Sequence, residues 1–141
     1  MDFWLGDWEV LDADGNLLGW NSIHSILSGC AITEAWRGAG GGQGRSLFYF
    51  HSWLGQWRQV WITSVPQRPG SVKEKRHVES FTDGGLRFQG EVMVSPEHYV
   101  MDRTTLRPLP DGRVHQTIEW SNDDGRTWNT GFEGWYVRVD R

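Results

Sequence analysis

Four side chains that can move a proton or orient a polar ligand atom lie within strand-like runs of apolar and aromatic residues. They are Glu34, Gln59, Arg103 and Gln116. Burying a polar group without a partner costs about 1–3 kcal/mol, so a fully packed interior has little use for these residues. An apolar cavity with a few convergent polar groups is typical of a small-molecule site.

Strand alternation predicts which residues share a face with these polar groups, because successive side chains in a strand point to opposite sides. The predicted apolar wall consists of Trp36, Trp61, Met101, Ile118 and Trp120. With Gln59 and Gln116, these are the predicted ligand-binding residues. Two alternatives remain open. One is a buried Glu–Arg pair that sets strand register, and the other is an outward polar face that results from an error of one residue in phase.

A second hypothesis makes the same cavity catalytic, with Glu34 and Arg103 as the catalytic residues. Exclusion of water raises the pKa of a carboxylic acid and makes it a usable acid or base near neutral pH. The guanidinium of Arg103 would stabilise a developing enolate. This arrangement suits a cofactor-independent cyclase or isomerase that acts on a polyketide-like or terpenoid substrate.

Metal and nucleophile chemistry has less support. The five histidines show no H-x-H or H-x-x-x-H spacing, so the sequence predicts no metal site and no cofactor. Cys30 is the single cysteine, which precludes an intramolecular disulfide and fits a reducing compartment.

The elements that position these residues are short strands. Eighteen glycines and five prolines separate alternating runs, and turn-forming residues lie between the runs. We predict ten strands: Asp7–Asp12, Gly19–Leu27, Ala31–Gly38, Arg45–His51, Trp57–Thr63, Val72–Phe81, Leu86–Val94, Tyr99–Arg107, Val114–Ser121 and Trp128–Val139. Closing such a meander removes its exposed edges, so the predicted fold is an all-β, antiparallel up-and-down β-barrel. A two-sheet sandwich is the alternative.

Two segments between strands have recognisable patterns. Ser121–Trp128 matches the Asp-box pattern S-x-D-x-G-x-T-W, which we interpret as a structural hairpin turn between the last two strands. Gly38–Gly44 is predicted to be a mobile loop at the barrel rim, since five of its seven residues are glycine. Near the N-terminus, Trp4 and Trp8 are expected to plug the closed end of the barrel.

Length and charge limit the possible partners. The 141 residues predict one domain over 1–141, and the net charge of −4 argues against nucleic acid. The most basic stretch, Lys73–His77, contains its own glutamate and is interpreted as a solvated strand or loop. No apolar run is long enough to span a membrane, and no signal peptide is visible, so we expect a cytoplasmic location. A homodimer is left open.

Several motifs carry a family resemblance over essentially the whole chain. They are the opening Phe3–Val10, the Gly29–Ala31 and Glu34–Gly38 segments, Trp57–Trp61, Pro108–Gly112, and the Asp-box followed by Tyr136–Arg138. Together they resemble a widespread bacterial family of unknown function that begins with F-W-L-G-x-W. The opening and the strand number are more distantly similar to the nitrobindin and fatty-acid-binding-protein branch of lipocalin-like (calycin) barrels.

The resemblance implies an antiparallel barrel around a small hydrophobic ligand. Nitrobindins hold heme through a histidine on the C-terminal strand, whereas this chain has Gly131, Phe132, Glu133 and Gly134 in that region. A heme-binding barrel is therefore the weaker alternative.

Overall fold

The computed structural model describes residues 1–65 and 68–139. Within these residues the chain forms ten strands. They are β1 (Gly6–Leu11), β2 (Leu17–Ile26), β3 (Ala31–Gly38), β4 (Gln43–His51), β5 (Gln56–Thr63), β6 (Val72–Ser80), β7 (Leu86–Ser95), β8 (His98–Pro108), β9 (Val114–Ser121) and β10 (Asn129–Arg138).

Each strand pairs antiparallel with the next, and β1 pairs with β10 to close the barrel. The closing register places Val10 opposite Tyr136. The predicted barrel is therefore confirmed and the sandwich alternative is wrong. Every predicted strand is present, and no strand end differs from its prediction by more than two residues. Alternation and turn chemistry agreed along the chain, which is why the local prediction was accurate.

In residues 1–65 and 68–139, helical structure is limited to short turns. Within the described residues, 3₁₀-helices occupy Asp2–Trp4 and Leu27–Gly29. None of the helices in this part of the chain has the length and apolar character needed to cross a membrane.

The end of the barrel that receives the N-terminus is filled by aromatic side chains. Trp4, Trp8 and Tyr136 are each 1% exposed and pack edge-on, with ring centroids 5.8–6.1 Å apart between Tyr136 and the two indoles. The indole Nε1 of Trp8 donates to the carbonyl oxygen of Trp4 at 2.9 Å. Phe48 packs against Trp4 and Phe88 in the same way. The prediction that Trp4 and Trp8 plug one end is confirmed.

The Asp-box forms the structural turn that its pattern predicts. The hydroxyl of Ser121 donates to Asp123 at 2.7 Å and accepts from the amide of Gly125 at 2.9 Å. Gly125 has φ +83°, and its carbonyl accepts from the indole of Trp128 at 3.1 Å. Hydrogen bonds from Thr127 hold the pKa of Asp123 well below its usual range. The box thus rigidifies the turn between β9 and β10.

The predicted phase of β8 is wrong. Val100, Asp102, Thr104 and Leu106 face the interior and are buried, whereas Tyr99 is half exposed on the outside. Both faces of this strand mix apolar and polar residues, so alternation alone did not distinguish them.

Candidate ligand-binding site

A cavity of about 300 Å³ occupies the half of the barrel away from the N-terminal plug. Its wall combines aromatic and aliphatic side chains with polar groups from the barrel interior. The lining residues are Glu34, Trp36, Gln59, Trp61, Pro69, Gly70, Lys73, Lys75, Thr104, Gln116, Ile118, Phe132 and Tyr136. The volume lies at the lower limit of about 300–1,000 Å³ for small-molecule sites.

Two glycines keep the tryptophan rings against the barrel wall. A Cβ atom at Gly44 would collide with the Trp61 indole, and one at Gly19 would lie 2.6 Å from the Trp36 ring. Each indole therefore occupies the space that a side chain on a neighbouring strand would fill. Phe132 packs edge-on against Trp36 at 6.0 Å. Because the rings lie along the wall, the centre of this half of the barrel stays open.

A layer of buried polar groups separates the cavity from the aromatic plug. We call it the polar belt; it consists of Asn21, Glu34, Ser46, Gln59, Lys75, Asp102, Thr104, Gln116 and Tyr136. Its central element is the Tyr136 hydroxyl, which donates to Gln116 Oε1 at 2.8 Å and accepts from Asn21 Nδ2 at 2.8 Å. Burial and the neighbouring Glu34 carboxyl group raise the pKa of Tyr136 well above 10. Tyr136 therefore acts as a neutral phenol.

Glu34 is the buried acid of the belt, with 5% of its surface exposed. Its Oε2 accepts from Asn21 Nδ2 at 2.7 Å, and Ser46 also donates to it. Burial raises the pKa of Glu34 above its ordinary value of 4.5, against the opposing effect of these hydrogen bonds and of the Lys75 charge. Removal from water outweighs the donors because a carboxylate loses its hydration when buried.

Lys75 lies across the lumen and forms the basic part of the belt. Its Nζ pairs with Asp102 and donates to Thr104 Oγ1 at 2.7 Å. Burial lowers the pKa of Lys75 from 10.5 to about 8, although the Asp102 charge opposes the shift. Lys73 Nζ contacts the other carboxylate oxygen of Asp102 at 2.8 Å. Burial raises the pKa of Asp102, but the two ammonium groups outweigh this effect and hold it below its usual range.

This ion pair spans a strand. Lys75 is on β6 and Asp102 is on β8, and the β7 residue opposite Asp102 is Gly90. A Cβ atom at Gly90 would collide with the carbonyl oxygen of Glu74. Glycine at this position therefore lets β6 and β7 approach closely and leaves room for the Lys75–Asp102 pair.

The belt also has unused hydrogen-bonding capacity. Among the described residues, Gln59 Oε1 and Asn21 Oδ1 are buried and have no hydrogen-bond partner, although Gln59 Nε2 donates to Ser46 at 3.0 Å. Gln59 lines the cavity. A buried acceptor without a partner costs about 1–3 kcal/mol, and a donor group on a ligand would remove that cost.

The structure brings most of the predicted site residues together. Glu34, Trp36, Gln59, Trp61, Gln116 and Ile118 line the cavity. Trp120 points to the same side of its strand as Gln116 but contributes to an adjoining cavity of about 430 Å³, with Val100 and Asp102.

Two predicted site residues on β8 lie outside the barrel, as a consequence of the phase error. Arg103 pairs with Glu119 at 3.0 Å and stacks over the Trp128 ring at 3.8 Å. Met101 lies beside the turn at Gly125. The proposed enolate-stabilising role of Arg103 is therefore wrong, and the alternative of a buried Glu34–Arg103 pair is also wrong.

Sequence reasoning missed the lysines, Asp102, Thr104, Phe132 and Tyr136. The basic stretch Lys73–His77 is a strand, as expected, but it is only partly solvated, because Lys75 is 3% exposed while Glu74 and Arg76 point outward. Alternation within that stretch was the available signal. Tyr136 could have been identified by the same alternation, because it lies two residues after Gly134 and therefore shares a face with it on a strand that has an apolar face.

The turn at Gly38–Gly42 lies beside the rim of the cavity, where Trp36, Gly42 and Trp61 line a common pocket.

In the described ranges no group of three or more His, Cys, Asp or Glu side chains is placed to hold a metal ion. None of the residues found to line the main cavity is a histidine.

Comparisons of the chain with known proteins give no family assignment. No protein-family model matches it, and no curated protein matches it in sequence. The resemblance to the F-W-L-G-x-W family and to calycin barrels therefore stays a prediction. The structure shows the closed barrel architecture.

Proposed function

We propose that this barrel binds a small hydrophobic or aromatic molecule in the tryptophan-lined cavity. The observation that carries the proposal is the cavity of about 300 Å³ between Trp36, Trp61 and Ile118, with a polar belt at its base. A structural core would fill this volume, because an empty apolar cavity costs stability.

The lining also indicates what kind of molecule fits. Planar indole and phenyl faces favour an aromatic or flat ligand, since each aromatic contact contributes about 0.5–1.5 kcal/mol beyond its buried area. The oxygen of Gln59 has no partner among the described residues and favours a ligand that carries a hydrogen-bond donor. The small volume favours a ligand of one or two rings.

Removal of a wall tryptophan tests the binding site. Trp61→Ala is expected to weaken binding of an aromatic probe such as 2-naphthalenemethanol about tenfold or more, because it removes a stacking face. Intrinsic fluorescence titration and native mass spectrometry measure the binding. Trp53→Ala is the matched control, because Trp53 is 94% exposed on a turn at the opposite end of the barrel. Equal affinity in the two variants would overturn the site assignment.

A second candidate function is a cofactor-independent isomerase or cyclase, for which the raised pKa of Glu34 is the favouring observation. A buried carboxylic acid beside an enclosed substrate is suited to proton transfer near neutral pH. Glu34→Gln would then abolish turnover of a polyketide-like or terpenoid substrate and preserve its binding. Normal turnover in this variant would eliminate Glu34 as the catalyst.

A further inference from the structure

The two lysines of this chain are segregated from its other cations. The sequence contains lysine only at positions 73 and 75, whereas its remaining basic residues are arginine and histidine. Both lysines line the cavity, and among the described arginines none does so. In the same described ranges, the ion pairs made outside the lumen use arginine or histidine.

We propose that Lys75 forms a Schiff base with a carbonyl group of the cavity ligand, so that the ligand class is a small apolar aldehyde or ketone. This inference rests on the proposed binding function. It assigns Lys75 Nζ as the reacting atom and the Trp36 and Trp61 faces as the surface that holds the apolar body.

A purely structural role does not account for lysine at this position. Arginine makes the better permanent buried ion pair, because its guanidinium is weakly hydrated and binds a carboxylate with two hydrogen bonds. Lysine differs from arginine in that it can lose its proton and act as a nucleophile. The lowered pKa of Lys75, about 8, supports a usable fraction of free amine near neutral pH.

The surroundings of Lys75 match the charge requirements of the reaction. The Lys75 nitrogen attacks the carbonyl carbon and a C–N bond forms. The carbonyl oxygen then leaves as water with two of the three protons of the original ammonium group. The product is a protonated imine, which has the same single positive charge as the ammonium. Asp102 therefore pairs with the reactant and with the product, and no oxidant or reductant is required.

Other groups of the belt are placed to assist. Thr104 Oγ1 accepts a hydrogen bond from Lys75 Nζ and orients it. Glu34 lies close enough to Lys75 for their charges to interact, and both side chains line the cavity. Lys73 neutralises the second oxygen of Asp102 from a more exposed position, with 18% of its side chain accessible.

The test is reductive trapping of the whole chain with 2-naphthaldehyde and sodium cyanoborohydride, followed by peptide mapping. The amines in the chain are Lys73, Lys75 and the N-terminus, so the map separates all of them. We expect the naphthylmethyl adduct on Lys75 to exceed that on Lys73 by about tenfold, because Lys75 is buried in the polar belt at the base of the cavity, whereas Lys73 is more exposed. An adduct spread equally over the three amines, or absent from Lys75, would overturn the proposal.

Matched variants separate the covalent step from binding. Lys75→Arg keeps the charge opposite Asp102 and removes the nucleophile, so it should lose the cavity adduct, while Glu91→Gln, at an exposed position outside the cavity lining, should keep it. The alcohol 2-naphthalenemethanol has the same rings without a carbonyl group. If the alcohol binds the wild-type protein but the aldehyde is not trapped at Lys75, the Schiff base is wrong and the binding function stands. If neither probe binds, both proposals are wrong.

Discussion

The two halves of the barrel use the same residue types in different ways. In the packed half, Trp4, Trp8, Phe48, Phe88 and Tyr136 interlock edge to face as part of the hydrophobic core. In the open half, Trp36 and Trp61 lie along the wall because glycines on neighbouring strands make room for their rings. Aromatic content therefore does not distinguish a core from a binding site; the position of small residues beside the rings does.

The polar belt marks the boundary between the halves. Within the belt, the Tyr136 hydroxyl is satisfied by Asn21 and Gln116, whereas Asn21 Oδ1 has no partner among the described residues. Toward the cavity, Gln59 keeps an acceptor without a partner among the described residues. An acceptor that is left without a partner at the cavity wall is available to a donor group of a ligand.

The largest expected effect is on stability, from a change in the packed half. Phe48→Ala should lower the free energy of unfolding by about 3–5 kcal/mol, because Phe48 is 1% exposed and the cavity left behind lies between packed rings. Urea denaturation measures it. Trp61→Ala, in the open half, should cost much less, since its ring already borders empty space. Equal losses in the two variants would contradict the division into halves.

Gly44→Ala should have an intermediate effect and act on the site itself. The added methyl group would collide with the Trp61 indole and displace it into the lumen. Overpacking of this kind costs about 1–3 kcal/mol, and binding of 2-naphthalenemethanol should weaken. Gly40→Ala is the control, since a Cβ atom there meets no atom within 4 Å. Unchanged binding in Gly44→Ala would show that the glycine does not position the ring.

Glu34→Gln should change how stability depends on pH. Burial raises the pKa of Glu34 above 4.5, so the stability linked to its protonated form is complete below that pH and is lost as the pH rises through the folded-state value. Glutamine does not ionise. The wild-type protein should therefore lose stability relative to Glu34→Gln as the pH rises above 4.5.

Urea denaturation at a series of pH values tests this trend. The exposed Glu91 provides the control variant Glu91→Gln, for which no such divergence is expected. Parallel curves for the wild-type protein and Glu34→Gln would contradict the burial argument.

Arg103→Gln should have the smallest effect. Arg103 pairs with Glu119 and stacks on Trp128 at the partly exposed outer surface, and such contacts contribute about 1 kcal/mol or less each. Binding of 2-naphthalenemethanol should be the same as in the wild-type protein. A clear loss of binding, measured by fluorescence titration, would contradict the conclusion that Arg103 lies outside the ligand-binding site.

Much of the fold and part of the site were predictable from the sequence. The strands followed from alternation between turn residues, as in Ala31–Gly38, where the predicted and observed bounds agree. Antiparallel order followed from the short connections, and closure followed from the need to remove edges. On β3, β5 and β9 the interior face was also correct, because one face of β3 and of β9 is richer in large apolar residues and one face of β5 carries both of its tryptophans.

Only the tertiary structure decided which face of β8 points inward and what the lysines contact. Alternation shows that residues two apart share a face, but a strand with mixed faces can be placed either way until its neighbours pack against it. The Lys75–Asp102 pair joins strands that are not neighbours and depends on Gly90 between them. Local sequence sets the conformation of each strand, whereas the curvature of the closed barrel determines which side chains meet across its interior.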